Sequence, residues 1–422
     1  MKALYRNSRI PRTRLYVTNA ELVSALGRLI FTGPQAGVPV DKLEKAFARQ
    51  WHTAGAVAGP YARTCFYLLL KALNLPENSE IITTPINIHD MFNMALCAGL
   101  RPVFIDIDPS NYQMSPELLE QSITPRTRAV LVTHLFGIVP DMEKIAAICR
   151  KHELILIEDA SHSFGATLHG RQMGTFGKAA IFSFSSLKSI STGYGGMVIS
   201  DDAELVARIK ESLNGLRPCS AKDMQGILRK NIIIGSVTQP LLFGYAAFPA
   251  IRFLNRLDPK IVSRLQTDNP VQKLLHEVPH EWLWRFSPLQ ADLAMRCLKR
   301  LAEGNAVRQK HARIVLEALT PYALDRLPAL LPGAENVFWR FPFKVPEGHE
   351  FAKFMNRYGI DVTTTLLPCC SQLEVFRSYA APTPHAAAAA RETYFLPIEH
   401  WLSEKQVAAL AEAAVEFVRA GS

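Results

Sequence analysis

Short apolar runs alternate with helix-like segments over residues 79–157, and this alternation limits the fold more than any other feature of the sequence. The runs predict strands at 79–84, 101–107, 129–133 and 154–157, and the segments between them predict helices. Since these strands are apolar on both faces, we expect an α/β fold with a mostly parallel sheet covered by helices. Ligands of such sheets bind beyond the carboxyl ends of the strands.

Residues 154–200 carry reactive side chains at the ends of two predicted strands. The first strand ends at Asp159 and is followed by His162, whereas the second ends near Ser183 and is followed by Lys188 and a glycine-rich turn. The aldehyde cofactor pyridoxal 5'-phosphate (PLP) needs a lysine amine to hold it as a Schiff base and a carboxylate beside its ring nitrogen. Lys188 and Asp159 are therefore candidates for these two roles.

The length of 422 residues favours more than one domain. We expect a large α/β domain over residues 1–280, which begins with a basic N-terminal arm. Helix and strand patterns beyond it predict a smaller α+β domain over residues 281–422. The reactive stretch then belongs to the large domain.

A less regular insert, residues 215–280, follows the reactive stretch. Within it, residues 231–251 carry no charged side chain, and basic residues flank them on both sides. The length suits a membrane span, whereas Pro240 and Pro249 oppose a continuous helix. Three interpretations stay open: a hydrophobic insert packed on the body or on a dimer partner, a patch for an acyl chain or a membrane surface, and a true span.

Charge and cysteine content restrict the partners and the compartment. Lys and Arg outnumber Asp and Glu by 47 to 38, which suits anionic ligands or surfaces. Since no basic motif with interleaved aromatic residues occurs, we expect no nucleic-acid binding. The seven cysteines lack the spacing of a disulfide framework or a zinc site, so we expect no bound metal. With no signal-peptide pattern, a cytoplasmic enzyme is expected, with membrane association left open.

Several motifs together resemble the DegT/StrS-type aminotransferases of PLP fold type I. They are EDASHSFGA, GTFGKAAIFSFSSLK and GYGGMVIS, preceded by PVFIDID and THLFGIVPDM. The resemblance covers residues from about 32 to 217 and from 285 to the end. It implies a PLP-dependent aminotransferase that moves an amino group from an amino-acid donor, glutamate by resemblance, to a ketone such as a ketosugar of a nucleotide-sugar pathway. It also implies a homodimer with active sites at the subunit interface.

The same resemblance implies roles for individual residues. Lys188 would be the Schiff-base lysine and would also move the proton between cofactor and substrate. Asp159 would pair with the ring nitrogen of PLP, and His162 would lie near its phenolic oxygen. Ser183 would bind the phosphate, whereas His89 falls where the family has an aromatic residue that stacks on the ring.

Two departures from the family pattern concern the phosphate and the dimer. The family's Ser-Gly-Thr at the first helix of this domain reads Ala-Arg-Thr at 62–64. Because a guanidinium binds phosphate bidentately, we hypothesise that Arg63 or the neighbouring main-chain amides, such as that of Thr64, contact the phosphate. The family's Asn-aromatic-Arg sequence, whose asparagine commonly reaches the partner subunit's phosphate, has Leu283 at the asparagine position. Together with the insert, this departure suggests a remodelled dimer-facing side, and the apolar insert leaves room for a hydrophobic or lipid-linked ketone as an alternative acceptor.

Two rival functions belong to other classes. A PLP-dependent sugar dehydratase, which the same family contains, has histidine in place of the lysine, so Lys188 argues against it. A non-catalytic PLP-binding regulatory protein would not need the intact set of lysine, aspartate, histidine and serine. The sequence therefore favours the aminotransferase.

Overall fold

The computed structural model describes residues 9–250, 253, 272–346, 348–364 and 367–421. At its centre lies a seven-stranded sheet. Its strands are β1 (Gly55–Gly59), β2 (Glu80–Thr83), β3 (Arg101–Phe104), β4 (Thr127–Thr133), β5 (Ile155–Asp159), β6 (Ala179–Ser183) and β7 (Gly196–Ser200). They lie in the order β1-β7-β6-β5-β4-β2-β3, in which β2 to β6 are parallel and β7 is antiparallel to both its neighbours. The predicted α/β fold with a mostly parallel sheet is confirmed.

Helices flank the sheet and continue through the rest of the chain. They are α1 (Asn19–Thr32), α2 (Val40–Trp51), α3 (Ala62–Leu73), α4 (His89–Cys97), α5 (Pro116–Gln121), α6 (Met142–Lys151), α7 (Ala203–Asn214), α8 (Ala221–Val237), α9 (Pro240–Ala250), α10 (Pro288–Ala323), α11 (Gly348–Arg357), α12 (Pro384–Glu392) and α13 (Glu404–Gly421).

Both faces of the sheet are covered because the inner positions of its strands are continuous apolar runs, as at residues 129–132 of β4. On β4, Leu131 packs with residues of α3, α4 and α7, whereas Val130 and Val132 pack with residues of α5 and α6. Since successive side chains of a strand point to opposite faces, a strand buried on both sides needs such a continuous apolar run. The carboxyl ends of the strands are thereby left as the open edge of the sheet.

A second sheet lies in the C-terminal part of the chain. It contains β8 (Phe341–Lys344), β9 (Thr363–Thr364) and β10 (Thr393–Leu396), with β10 between the other two and antiparallel to both. The long helix α10 links two cores, because Leu289 and Leu301 pack with α1 and α2, whereas Val315 and Leu319 pack with β8 and α13. The domain boundary at 280/281 stays a prediction.

The basic N-terminal arm packs against the C-terminal part of the chain. Ile10 forms a parallel bridge with Ile360, and the Arg12 guanidinium donates from two nitrogens to the Asp361 carboxylate, each at 2.7 Å. Residues 1–8 of the arm lie outside the described residues. These contacts therefore fix the first described residues beside the segment that leads into β9.

The apolar insert forms two helices in its described part. Helix α8 and helix α9 meet at an angle of 65°. In the part of the chain that the structure describes, no single helix is long and apolar enough to cross a membrane, although the bent pair passes the same test of length and composition. Residues 251–252 and 254–271 of the insert lie outside the described residues.

Candidate active site

The aspartate predicted from the sequence lies at the carboxyl edge of the sheet. Asp159 is the last residue of β5 and is 5% exposed. Its Oδ2 accepts a hydrogen bond from Asn87 Nδ2 at 3.2 Å, and its Oδ1 accepts one from the Ser161 N–H at 3.2 Å. Asn87 also donates to the Thr133 hydroxyl at the end of β4, at 2.9 Å. The loops after β2 and β5, together with the end of β4, therefore fix the orientation of one buried carboxylate.

Lys188 lies in the loop after β6 and is half-buried. Its Nζ is 4.1 Å from the centre of the Trp339 ring. Burial lowers the pKa of Lys188 from its ordinary value of 10.5 to about 7; Asp159 counteracts this shift, and the charge of Arg340 adds to it. A large share of this amine is thus unprotonated near neutral pH, the state in which an amine attacks an aldehyde.

His162 is held in a defined orientation by its neighbours. Its ring stacks on that of Trp339, with centroids 4.0 Å apart and an angle of 12° between the planes. Its Nδ1 accepts a hydrogen bond from the Phe136 N–H at 3.2 Å. Burial, together with the charges of Lys188 and Arg340, lowers the pKa of His162 well below its ordinary value. The neutral ring therefore carries its proton on Nε2, which can donate a hydrogen bond.

The predicted phosphate ligands lie at the end of β6 and at the start of α3. The Ser183 hydroxyl accepts a long hydrogen bond from the Ser185 N–H at 3.4 Å, which leaves its own proton for another acceptor. No side chain among the described residues caps the start of α3. A Cβ on Gly196 would lie 2.6 Å from Ala62 N, so only glycine lets β7 approach this helix end. Free N–H groups at a helix start bind anions well.

The Arg63 side chain is already engaged in contacts. Its NH1 lies 3.1 Å from Asp90 Oδ2, and the guanidinium carbon lies 4.0 Å from the centre of a Trp282 ring and 4.5 Å from that of Tyr61. The Thr64 hydroxyl donates to the Trp282 carbonyl at 3.1 Å. The buried Arg63 Nε makes no hydrogen bond within the described ranges. The phosphate contact of Arg63 and Thr64 stays a prediction. Because the Thr64 hydroxyl already donates to a carbonyl, the predicted donor of Thr64 to the phosphate is its main-chain N–H.

His89 begins α4 and is 7% exposed. Its Nε2 lies 3.3 Å from Asp90 Oδ1. Burial lowers the pKa of His89, although the adjacent Asp90 carboxylate acts in the opposite direction. A neutral, flat imidazole is compatible with stacking on an aromatic ring, and this role stays a prediction.

A buried network supports the strand that carries Asp159. The Glu158 carboxylate accepts hydrogen bonds from the N–H groups of Gly174, Phe176 and Gly177 at 2.7 to 2.8 Å. Burial raises the pKa of Glu158 to about 7 and lowers the pKa of the neighbouring His134 to about 3. Both groups are fully buried and act as internal supports of β5.

The structure adds residues that the sequence interpretation did not single out. Asn87 lies in the loop after β2, a region expected at this edge, but nothing in its spacing marks it as the partner of Asp159. Trp339 and Arg340 immediately precede β8, far along the chain from Lys188 and His162. Their proximity comes from packing of the C-terminal part on the sheet, which local patterns do not reveal.

These side chains fit PLP in chemical type. Lys188 supplies an amine with a lowered pKa, and Asp159 supplies a buried carboxylate fixed by Asn87. His162 supplies a neutral N–H donor, while Ser183 and the uncapped start of α3 supply donors for a phosphate. This set therefore contains a suitable partner for the aldehyde, for the protonated ring nitrogen and for the phosphate of PLP.

Comparison with known proteins gives a family match along most of the chain. The model of the DegT/DnrJ/EryC1/StrS aminotransferase family matches residues 30–281 and 266–415. The matched segments also run across residues 218–284, the gap in the sequence resemblance.

Curated relatives align over most or part of the chain. A pleiotropic regulatory protein of Geobacillus stearothermophilus is 28% identical over 392 residues, which are 90% of this chain and 89% of that protein. The spore coat polysaccharide biosynthesis protein SpsC of Bacillus subtilis is 38% identical over 181 residues, and a GDP-perosamine synthase of Caulobacter vibrioides is 35% identical over 188 residues. The last two alignments span 46% and 48% of those relatives, about half their length.

Solved structures share the fold over nearly the full length. DesV of S. venezuelae has a TM-score of 0.74 at 23% identity, over 97% of this chain and 99% of that chain. PseC of Helicobacter pylori, an aminotransferase involved in the biosynthesis of pseudoaminic acid, has a TM-score of 0.71 at 19% identity, over 98% and 99%. At these identities, the likeness establishes the fold.

Proposed function

The chain belongs to the DegT/DnrJ/EryC1/StrS aminotransferase family, and we propose that it uses PLP to move an amino group from glutamate to a ketosugar carried on a nucleotide diphosphate. Enzymes of this family are aminotransferases, which take an amino donor and a ketone acceptor. For this chain, we propose three identities: PLP as the cofactor, glutamate as the donor and a nucleotide-linked ketosugar as the acceptor.

The amine of Lys188 is the observation that carries the proposal. Its pKa is lowered to about 7, and its charge interacts with that of the carboxylate of Asp159 at the same edge of the sheet. A surface lysine would have an ordinary pKa and no such partner. This combination of a nucleophilic amine and a fixed carboxylate supports PLP chemistry at this place.

The proposed roles follow from the lowered pKa of Lys188 and from the hydrogen bonds of the other side chains. PLP, when bound, supplies an electron sink for negative charge at the substrate carbon. Lys188 Nζ holds the cofactor's aldehyde carbon and moves a proton to and from the substrate carbon. Asp159 keeps a proton on the ring nitrogen, and Asn87 keeps that carboxylate in place. His162 Nε2 donates to the phenolic oxygen, while Ser183 and the start of α3 bind the phosphate.

The acceptor class is supported by relatives with sugar-related names. The Caulobacter vibrioides relative is a GDP-perosamine synthase, and the Bacillus subtilis relative is a polysaccharide biosynthesis protein. An alternative acceptor, a hydrophobic or lipid-linked ketone, is favoured by the exposed apolar side chains of α8 and α9, among them Leu241 and Tyr245. We also propose that the chain forms a homodimer, in which Leu283 lies on the dimer-facing side that departs from the family pattern.

The function can be tested by measuring the two half-reactions separately, first with the amino donor alone and then with a ketone acceptor. Purified protein with PLP and glutamate, but without an acceptor, should release a stoichiometric amount of 2-oxoglutarate, because the amino group stays on the enzyme. A panel of nucleotide-linked ketosugars and apolar ketones should then restore turnover with one class. Lys188→Ala should release no 2-oxoglutarate, and Lys42→Ala, at an exposed lysine of α2, is the matched control. Release of 2-oxoglutarate by Lys188→Ala at the wild-type rate would contradict the assignment.

A further inference from the structure

Helix α10 buries polar side chains on one of its faces. Gln290 and Arg308 are fully buried, and Asn305 is 7% exposed. With the buried Leu301, they lie on one side of the helix, because their spacings along the chain are close to whole helical turns. A buried polar group costs free energy unless it has a hydrogen-bond partner. The partners of these side chains therefore show what this face of α10 does.

Arg308 donates hydrogen bonds to three acceptors that lie apart in the sequence. Its Nε donates to the Val337 carbonyl at 3.1 Å, and its NH1 donates to the Ser189 hydroxyl at 3.2 Å. Its NH2 donates to Asn305 Oδ1, and Asn305 Nδ2 in turn donates to the Phe164 carbonyl at 2.7 Å. The Arg308 network, which consists of these four hydrogen bonds, thereby connects the loop after β5, the loop after β6 and the segment before β8.

Each of these three segments carries a group of the candidate active site. Ser189 directly follows Lys188, and the two carbonyl acceptors lie two residues from His162 and from Trp339. Because Lys188 and His162 both contact the Trp339 ring, the three segments also meet at that ring. The Arg308 network therefore joins the same segments whose side chains come together at the indole.

The two loops approach α10 closely. Gly165 has a φ of +77°, and a Cβ on it would lie 2.9 Å from Asn305 Nδ2, so a side chain at this position would displace the amide. Further along the loop after β6, the Tyr194 carbonyl accepts a hydrogen bond from Gln290 Nε2 at 2.6 Å. Helix α10 thus holds the loop after β6 at two points and the loop after β5 at one.

The charge of Arg308 is buried among uncharged acceptors. Among the described residues, no carboxylate forms an ion pair with it, and its three acceptors are neutral oxygens. Burial lowers the pKa of Arg308 to about 10, and the carboxylate of Glu399 counteracts this shift only in part. An apolar side chain of similar length would fill the same space without the cost of desolvating a charge. Packing alone therefore does not explain an arginine at this position.

We propose that Arg308 is a positioning residue, which sets the mutual placement of Lys188, His162 and Trp339 for amino transfer. It acts through the segments that carry these residues and takes no part in proton transfer. The inference rests on the proposed function, since it concerns the alignment of the groups assigned to PLP. A misplacement of about 1 Å at a reacting group can cost on the order of 10²-fold in rate, so a network that fixes three segments at once should have a large effect on turnover.

Two substitutions of Arg308 and one control measure this role in the donor half-reaction. Arg308→Met fills similar space without donors, so release of 2-oxoglutarate by PLP-loaded protein should slow by about 10²-fold, with little change in the glutamate concentration that gives half the maximal rate. Arg308→Lys keeps the charge but has a single nitrogen, so release should slow by about tenfold or more. Arg313→Met, at an exposed arginine of the same helix, is the matched control and should react like the wild type.

A second readout uses the PLP-free protein and does not depend on activity. In Arg308→Met the loop after β5 loses its connection to the segment before β8, so the His162 ring should be less well shielded from water. Its pKa, followed by NMR titration of the imidazole protons, should therefore rise towards the ordinary value. The charged and titratable groups that act on this pKa, namely Lys188, Arg340 and His134, are unchanged in the variant.

Two results would overturn the proposal. One is a folded Arg308→Met protein with the wild-type rate of release and the wild-type titration of His162. The other is full recovery of both properties by Arg308→Lys, which would restrict the role of the residue to its charge. Circular dichroism and the melting temperature establish which variants are folded.

Ser189→Ala tests the same network if Arg308→Met does not fold. It removes one acceptor of the guanidinium, so release of 2-oxoglutarate should slow by about fivefold, as expected for one hydrogen bond. An unchanged rate in Ser189→Ala would count against the proposal. A wild-type protein that releases no 2-oxoglutarate would contradict the proposed function instead, and the titration of His162 would still decide whether Arg308 positions the imidazole.

Discussion

His162 and Trp339 stack with ring centroids 4.0 Å apart, although one follows β5 and the other precedes β8. The Nζ of Lys188 lies 4.1 Å from the centre of the same indole ring. One side chain of the C-terminal part therefore contacts both nitrogen bases of the candidate site. Because it shields them from water, Trp339 contributes to the burial that lowers the pKa of each.

Removal of the indole should change the titration of His162. In Trp339→Ala, the imidazole gains water, so its pKa should rise from well below the ordinary value towards about 6.5. Trp339→Phe keeps an aromatic ring and should give a smaller rise. NMR titration of the imidazole protons in the PLP-free protein measures the effect. An unchanged His162 pKa in Trp339→Ala would show that the indole ring is not what shields the imidazole from water.

The lowered pKa of Lys188 predicts how PLP attachment depends on pH. The neutral amine reacts, and with a pKa of about 7 its fraction rises through pH 7 and is nearly complete two units higher. The rate of PLP attachment, followed by rapid-mixing absorbance, should therefore level off above about pH 8. An ordinary lysine would give a rate that keeps rising towards pH 10, and that result would contradict the lowered pKa.

The same lowered pKa predicts a stability effect in the PLP-free protein. Below about pH 7, the folded protein holds a charged amine in a site that disfavours it, and this cost disappears as the pH rises from about 7 to 10.5. Lys188→Met should therefore raise the free energy of unfolding at neutral pH by on the order of 2 kcal/mol, and by less near pH 10. Urea denaturation at several pH values measures this, with Lys42→Met as the exposed control.

Asn87 should matter for catalysis through Asp159. Asp159→Asn removes the charge that the proposal pairs with the ring nitrogen of PLP, and it should lower kcat by about 10²-fold or more. Asn87→Ala leaves the carboxylate but removes its donor, so we expect a smaller loss of kcat and a cost of about 1–3 kcal/mol in unfolding free energy. A kcat equal to that of the wild type in Asn87→Ala would show that the hydrogen bond has no positioning role. Asp325→Asn, at an exposed site, is the control for Asp159→Asn.

A double-mutant cycle separates the two roles of Arg63. Arg63→Ala leaves the buried Asp90 without its ion-pair partner and should cost about 3 kcal/mol in unfolding free energy. The additional change Asp90→Asn should recover much of that stability. If Arg63 also binds the cofactor phosphate, PLP affinity stays low in the double variant. Recovery of both stability and PLP affinity would restrict Arg63 to pairing with Asp90.

The sheet was predictable wherever its strands have bulky apolar runs, as in β4 and β5. Strand β1, with the sequence GAVAG, was missed because glycine and alanine have little strand preference of their own. Its extended form depends on pairing with β7, a contact between distant parts of the chain. The antiparallel direction of β7 likewise follows from the path of the chain after the glycine turn and not from the composition of the strand.

The candidate site divides in a similar way. Asp159, His162 and Lys188 lie on one continuous stretch, so the order of motifs was enough to select them. Asn87 and Trp339 reach the same place from separate parts of the chain, and only the packed structure brings them together. Local sequence patterns predict which reactive side chains a segment carries, whereas long-range packing determines which of these side chains come into contact.

The pairing of β1 with β7 has a consequence for synthesis of the protein. Gly55 leaves the ribosome early, but its partner in the sheet is Ser200, and translation needs roughly ten to thirty seconds to cover the intervening chain. During that interval one edge of the nascent sheet is incomplete, and Gly196 has not yet packed against the start of α3. The end of the site proposed to bind the phosphate is therefore assembled late, and a nascent chain arrested before β7 should not bind PLP.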